Sequence, residues 1–424
     1  MNLPIKAQGR NTSNFLNITL KDFCFVSILI LLMMQVAIEE VFPSIGYLDE
    51  LVALGLGVCA VAKFSCAREK HLNVNDKRLL LLLLIMIGLG LLGSAFSGIK
   101  TSLFAIGVDV VTCSKFIITL CACYILASDS RKIIQVLEVL SKFLCAVLFV
   151  LAVANIAFDF GMGGQVRYGI RSFNFIFYHP VVVVWFTAGL IAVLLSNPKK
   201  NKVFIYMGLL VVCMSLRAKG ICWAFGVFFL MSTIGKNGRI GILHIIVVAA
   251  GIGMLAADSI EMYYFDNTIE TARSALTKTS FMIANEYFPL GTGFASFGSS
   301  ITATPEFYSP LYYVYGLSNI WGIGLAHPNY ISDSFWPTVV AQFGWGGLLL
   351  MIAIIYCIVR GILERLSGSI SKYWLAPISL VMYLILGSAG ESAFFNPQSV
   401  YFAIIIALLC LNSRRNEEKE GIIL

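Results

Sequence analysis

The chain has 424 residues, of which 58% are hydrophobic and 12% charged, with a formal net charge of +7. A soluble domain carries roughly 25% charged residues, so this composition excludes an ordinary soluble protein and predicts a polytopic membrane protein. In such a chain the position of the basic residues matters more than their sum, because lysines and arginines in short loops orient membrane helices; no nucleic acid partner is needed to account for the excess.

Met1 to Leu20 is polar, and the apolar run that follows ends without a small-residue cleavage signature, which predicts an uncleaved first helix. Apolar runs approaching the bilayer span of roughly 20 residues occupy 21 to 39, 50 to 66, 79 to 97, 103 to 127, 136 to 158, 179 to 196, 203 to 216, 221 to 234, 241 to 258, 335 to 360, 374 to 389 and 398 to 412. The expectation is one all-α integral membrane domain over 1 to 424, a bundle of about twelve transmembrane helices. The runs 203 to 216 and 221 to 234 are short and flank the polar Arg217-Ala-Lys-Gly220, so they read as a hairpin that need not fully cross. The eleven cysteines fall in or beside apolar runs and read as small buried hydrophobes, not a disulfide framework.

With the N-terminus in the cytoplasm, the basic groups at 63 to 78, 131 to 132, 199 to 202, 236 to 239, 360 to 372 and 414 to 419 all fall inside, as the positive-inside rule requires. Lys100, Arg167, Arg171, Arg217, Lys219, Arg273 and Lys278 are left outside, where that rule disfavours them. Cations kept there are candidates for function. Both termini are expected in the cytoplasm.

Between Gly161 and Pro180 the chain carries Arg167 and Arg171 four positions apart, a spacing that places both on one face if the segment is helical. The fork of an arginine suits phosphate oxygens better than a lysine does. With Arg217 and Arg273 on the same side, the parts of a diphosphate clamp are present.

The stretch 260 to 334 is the one long segment unsuited to a bilayer, and is expected to be an outward-facing cap with little core of its own. Apolar positions from Ile269 to Tyr287 recur near helical spacing, predicting an amphipathic helix on the membrane surface that carries Arg273. Gly291-Thr-Gly293 then forms a turn in which the backbone can approach another segment closely. Its glycine spacing does not fit a dinucleotide fingerprint, and no two histidines have metal-ligand spacing, so no cofactor and no metal are expected. Tyr313, Trp321 and Tyr330 are candidates for stacking on sugar faces, with an interfacial aromatic belt as the alternative.

The arginine loop ending in His179-Pro180, the hairpin with Leu216-Arg-Ala-Lys-Gly220, and Arg273 followed by Phe288-Pro-Leu-Gly-Thr-Gly-Phe294 resemble the bacterial O-antigen polymerase and ligase superfamily. So does His327-Pro-Asn-Tyr330 leading to Gln342-Phe-Gly-Trp-Gly-Gly347. The resemblance covers roughly residues 160 to 360. It implies a GT-C type, inverting, metal-independent glycosyltransferase of the bacterial inner membrane, acting on glycans carried by undecaprenyl diphosphate. It also implies a periplasmic 260 to 334 loop, contact with membrane lipid, and a chain-length regulator protein as partner. Residue by residue, Arg167, Arg171, Arg217 and Arg273 match the diphosphate-binding arginines, and His327 the loop histidine that acts as base. Asp333 and Glu391 are the carboxylate alternatives for that role. Ligases of the superfamily place a small polar residue after the loop histidine, whereas Pro328 stands here, which favours a polymerase over a ligase. A secondary transporter or lipid-linked glycan flippase is the reading from another class, with Asp109, Lys115 and Lys142 as its intramembrane charges.

Overall fold

The computed structural model describes residues 20–66, 73–126, 130–158, 160–167, 169–237, 250–251, 253, 271–366 and 374–420. Its helices are α1 (Leu20–Glu39), α2 (Leu48–Cys66), α3 (Val74–Phe96), α4 (Leu103–Leu126), α5 (Ser130–Ala157), α6 (Pro180–Leu194), α7 (Pro198–Met214), α8 (Ala218–Asn237), α9 (Ala272–Glu286), the short α10 (Pro310–Val314), α11 (Phe335–Arg365), α12 (Leu375–Gly387) and α13 (Gln398–Glu420). Among the described residues, six helices are long and apolar enough to cross a membrane: α1 to α5 and α11. Four shorter apolar helices lie in α6, α8, α12 and α13, and α7 packs against α5, α6 and α8. The predicted run 241 to 258 falls almost entirely outside the described residues.

Local chemistry explains the helix starts. Asn197 accepts from the Lys200 amide and is followed by Pro198, and Thr271 accepts from the Ser274 amide at the start of α9. The helix α6 is apolar on every side, and a helix of that kind must be surrounded. Val183, Val184, Ala188, Ile191 and Leu194 are all fully buried, and Gly189 lets the Tyr401 ring of α13 lie against the α6 backbone. The Tyr401 hydroxyl donates to the Trp185 carbonyl at 2.5 Å.

Contacts sort the helix ends into two groups. At one end Lys63 donates to the Ile125 carbonyl at 2.7 Å, and Arg365 pairs with Asp76 and lies 3.8 Å from the centre of the Tyr124 ring. At the other, Arg273 reaches Asp333 and the Gly390 carbonyl. The helices α2, α3 and α4 therefore alternate in direction, as do α11 and α12.

Two expectations need correction. The arginine segment is a β-hairpin, not a helix: β1 (Gly163–Arg167) pairs antiparallel with β2 (Ile170–Phe173), with Val166 opposite Arg171 and Arg167 opposite Ile170. Directly opposed residues share a face and neighbours alternate, so Arg167 and Arg171 lie on opposite faces. The 271 to 334 segment also has a core of its own, in which Leu276, Ile283, Phe297, Tyr312, Leu317, Ile323 and Ile331 are buried together. Ala275, Leu276, Ile283 and Ala284 of α9 are buried in protein, while on another side Phe281, stacked on Trp345 of α11 at 5.6 Å, and Met282 are exposed.

The cap is tied to the bundle by an inserted coil. Residues 291–299 are buried without forming a helix, between α3, α4 and α11. Non-helical backbone at such depth survives only if its polar groups find partners inside the protein. Here α11 is broken at Gly344, at φ 64° and ψ −169°, and the carbonyls of Ala341 and Gln342 accept from the amides of Thr292 and Gly293 at 3.0 and 2.8 Å. Ser94 of α3 accepts from Phe294, and Asp109 of α4 accepts from Ala295 at 2.6 Å. The same Asp109 oxygen accepts from Gln342 Nε2 at 3.0 Å, and that amide also donates to the Phe297 carbonyl. Asp109→Leu strands two buried donors, and is expected to lower stability by about 2–4 kcal/mol. Thermal unfolding in detergent checks this, and an unchanged midpoint would contradict the clamp role.

Candidate functional site

The second group of helix ends gathers a polar cluster from five separate segments. His179 caps α6; Arg217 lies in the turn between α7 and α8, and Lys219 in the first turn of α8; Arg273 is in the first turn of α9; Asp333 precedes α11; Glu391 follows α12. Arg217 Nη2 lies 3.0 Å from His179 Nε2, and Lys219 Nζ lies 2.9 Å from Glu391 Oε1. Arg273 Nη2 donates to the Gly390 carbonyl at 3.0 Å and is 3.3 Å from Asp333 Oδ2. Ser392 Oγ donates to the Ser332 carbonyl at 2.7 Å, which ties the two acidic segments together.

The ring of His179 also accepts from the Val181 amide, through Nδ1 at 3.3 Å. A neutral imidazole has one lone pair, so the two contacts compete. The Arg217 guanidinium and the Val181 amide can both only donate, so Nε2 accepts from Arg217 in one tautomer and Nδ1 accepts from Val181 in the other. Burial and, in decreasing order, the charges of Arg217, Lys219, Arg167 and Arg273 push His179 down to about 4. Four cations thus act on one uncharged ring. Asp333 is displaced the other way: burial raises its proton affinity, Arg273 and Lys219 oppose this, and Glu391 adds to it.

The remaining sequence candidates divide between the cluster and the cap. Arg167 joins the cluster through its field on His179, whereas Arg171 lies on the other face of the hairpin, its side chain over Gly163. His327 is exposed in a cap turn closed by its own amide on the Gly324 carbonyl at 2.9 Å. Nearby, Trp321 and Tyr330 meet edge to face at 5.3 Å, with Gly322 beneath the Tyr330 ring, and Tyr313 packs on Tyr308. These aromatic residues form an exposed surface on the cap, and the Tyr330 carbonyl accepts from the Asp333 amide at 3.3 Å.

His179 was missing from the strongest sequence candidates. Its signal is weak, because His179-Pro180 and His327-Pro328 are the same dipeptide at the start of a turn or helix. Only the fold distinguishes them. Among the described residues, no group of three or more His, Cys, Asp or Glu side chains is placed to hold a metal ion. The cysteines are all unbridged, with Cys113, Cys121, Cys123, Cys145, Cys222 and Cys410 buried and Cys24, Cys59 and Cys66 on the outer faces of helices.

The chain matches no protein-family model and no curated protein. The three charges within helices that would suit a transporter are all engaged: Lys115 pairs with Asp49 and Glu50, Lys142 pairs with Glu138 at 2.7 Å, and Asp109 holds the inserted coil.

Proposed function

We propose that this chain is a surface-polysaccharide polymerase of the O-antigen type. It moves a growing glycan from undecaprenyl diphosphate onto a lipid-linked repeat unit at the periplasmic face of the bacterial inner membrane. In this reading about twelve spans hold the site, both termini are cytoplasmic, and 260 to 334 is periplasmic. A chain-length regulator is the expected protein partner.

One observation carries the reading: Arg217, Lys219 and Arg273, within reach of Arg167, converge with two carboxylates at one end of the helical bundle. Transfer builds negative charge on the departing diphosphate, and cations held in a site of reduced dielectric stabilise it without rearranging. Asp333 takes the proton of the acceptor hydroxyl; the oxygen bonds the anomeric carbon from the face opposite the diphosphate. The bond from that carbon to the diphosphate oxygen breaks, and its electron pair leaves with undecaprenyl diphosphate. Glu391 holds Lys219 in place, and Trp321, Tyr330 and Tyr313 offer faces for the glycan.

Deleting the gene tests the class. A polymerase mutant displays surface glycan capped with a single repeat; a ligase mutant accumulates long polymer on undecaprenyl diphosphate; a flippase mutant displays none. Within the polymerase reading, Asp333→Asn is expected to slow transfer by about 10²-fold or more, in line with loss of a general base. His327→Ala is expected to leave polymer length near normal, since that ring sits in the exposed cap turn. The opposite pattern on a chain-length gel would return the role of base to His327.

A further inference from the structure

The histidine at the start of α6 lies in the field of four cations from separate segments. Arg217 comes from the α7–α8 turn, Lys219 from the first turn of α8, Arg167 from the hairpin and Arg273 from α9, while Asp333 and Glu391 supply the opposing charge. Arg217 touches the ring at 3.0 Å, and its guanidinium can donate there only while Nε2 is unprotonated. An anion arriving between these cations changes both conditions at once. Phosphate oxygens compete for the Arg217 donors, and their charge offsets the repulsion that keeps a proton off the imidazole.

We propose that His179 positions Arg217 while neutral and takes up a proton when the diphosphate binds, so that the site gains a further positive charge only in the presence of its anionic ligand. This rests on the diphosphate reading of the cluster. The direction follows from linkage: if the anion favours the protonated ring, protonation of the ring must favour the anion by the same factor. Affinity for diphosphate therefore rises as pH falls through the range in which the bound form takes up its proton. The second consequence concerns release. When the lipid diphosphate departs, the proton is expelled again and the Arg217 contact re-forms, which resets the site for the next donor.

The test uses the full chain in lipid nanodiscs with imidazole-nitrogen labelling, and inorganic pyrophosphate as the probe. The chain has four histidines, so the spectrum of His179→Gln assigns the resonance by its disappearance. Without pyrophosphate the His179 ring is expected to stay neutral down to about 4. With saturating pyrophosphate its titration is expected to move up by at least about one pH unit, a tenfold change in proton affinity. The Gln carbonyl can still accept from Arg217, so His179→Gln is expected to bind pyrophosphate like the parent at pH 8 but to lack the parent's extra gain in affinity at pH 5. If calorimetry shows pyrophosphate bound and the His179 titration is unmoved, the proton uptake is refuted and the diphosphate site stands. Absence of any pyrophosphate binding would overturn both. Equal pH dependence of affinity in the parent and in His179→Gln would also refute the proposal.

Discussion

Arg273→Lys is expected to lose transfer activity by about 10²-fold even though it keeps the positive charge. Arg273 Nη2 meets both the Gly390 carbonyl and Asp333, so the guanidinium is held between the loop after α12 and the segment before α11. A lysine places one compact ammonium where a planar fork had stood, and cannot bond two phosphate oxygens side by side while keeping those anchors. The measurement is the initial rate of glycan transfer with purified protein and lipid-linked repeat units. A rate within threefold of the parent would remove the clamp from the mechanism. Folding is controlled by thermal unfolding, because the α9 face built on Leu276 and Ile283 is untouched by the change.

Gly293→Ala is the second substitution with a large expected effect, and it acts on stability. Gly293 has φ +83°, and a Cβ there would sit 2.0 Å from the Ser94 amide nitrogen of α3. The backbone conformation alone costs a residue with a side chain about 1–3 kcal/mol, and the clash adds to it because the nearest Ser94 atom is backbone and cannot swing aside. The coil is expected to be expelled, leaving the Phe294 and Ala295 amides without Ser94 and Asp109. Loss of a monodisperse peak in size-exclusion chromatography, or a large fall in unfolding temperature, is the expected result. A variant with parental unfolding behaviour would show that the coil is less closely packed than its contacts indicate.

Apolar runs made most helices legible, because a residue that must face lipid or other helices leaves little freedom of composition. The runs at 103 to 127 and 335 to 360 correspond to α4 and α11 within a few residues. The β-hairpin was obscured because Arg167 and Arg171 have helical spacing, although Gly161, Gly163, Gly164 and Gly169 around them point to turns. The close approach of the coil was legible in Gly291 and Gly293, but which segments it meets was not. Asp109 looks like an isolated charge in an apolar helix, and its partners Ala295 and Gln342 are 186 and 233 residues away. The same limit applies to the site. Arg217 and Arg273 could be picked out by charge and expected side, but which histidine Arg217 meets depends on where two identical dipeptides are carried by the fold.

The break at Gly344 also bears on how the protein is assembled. The amides of Thr292 and Gly293 are made before their acceptors, the carbonyls of Ala341 and Gln342, have been synthesised. Until α11 emerges, the coil has Ser94 and Asp109 to bind on one side and nothing to complete it on the other. Docking of the cap is therefore the late event in biogenesis, and the clustered charges come together only after α3 and α4 are already in place.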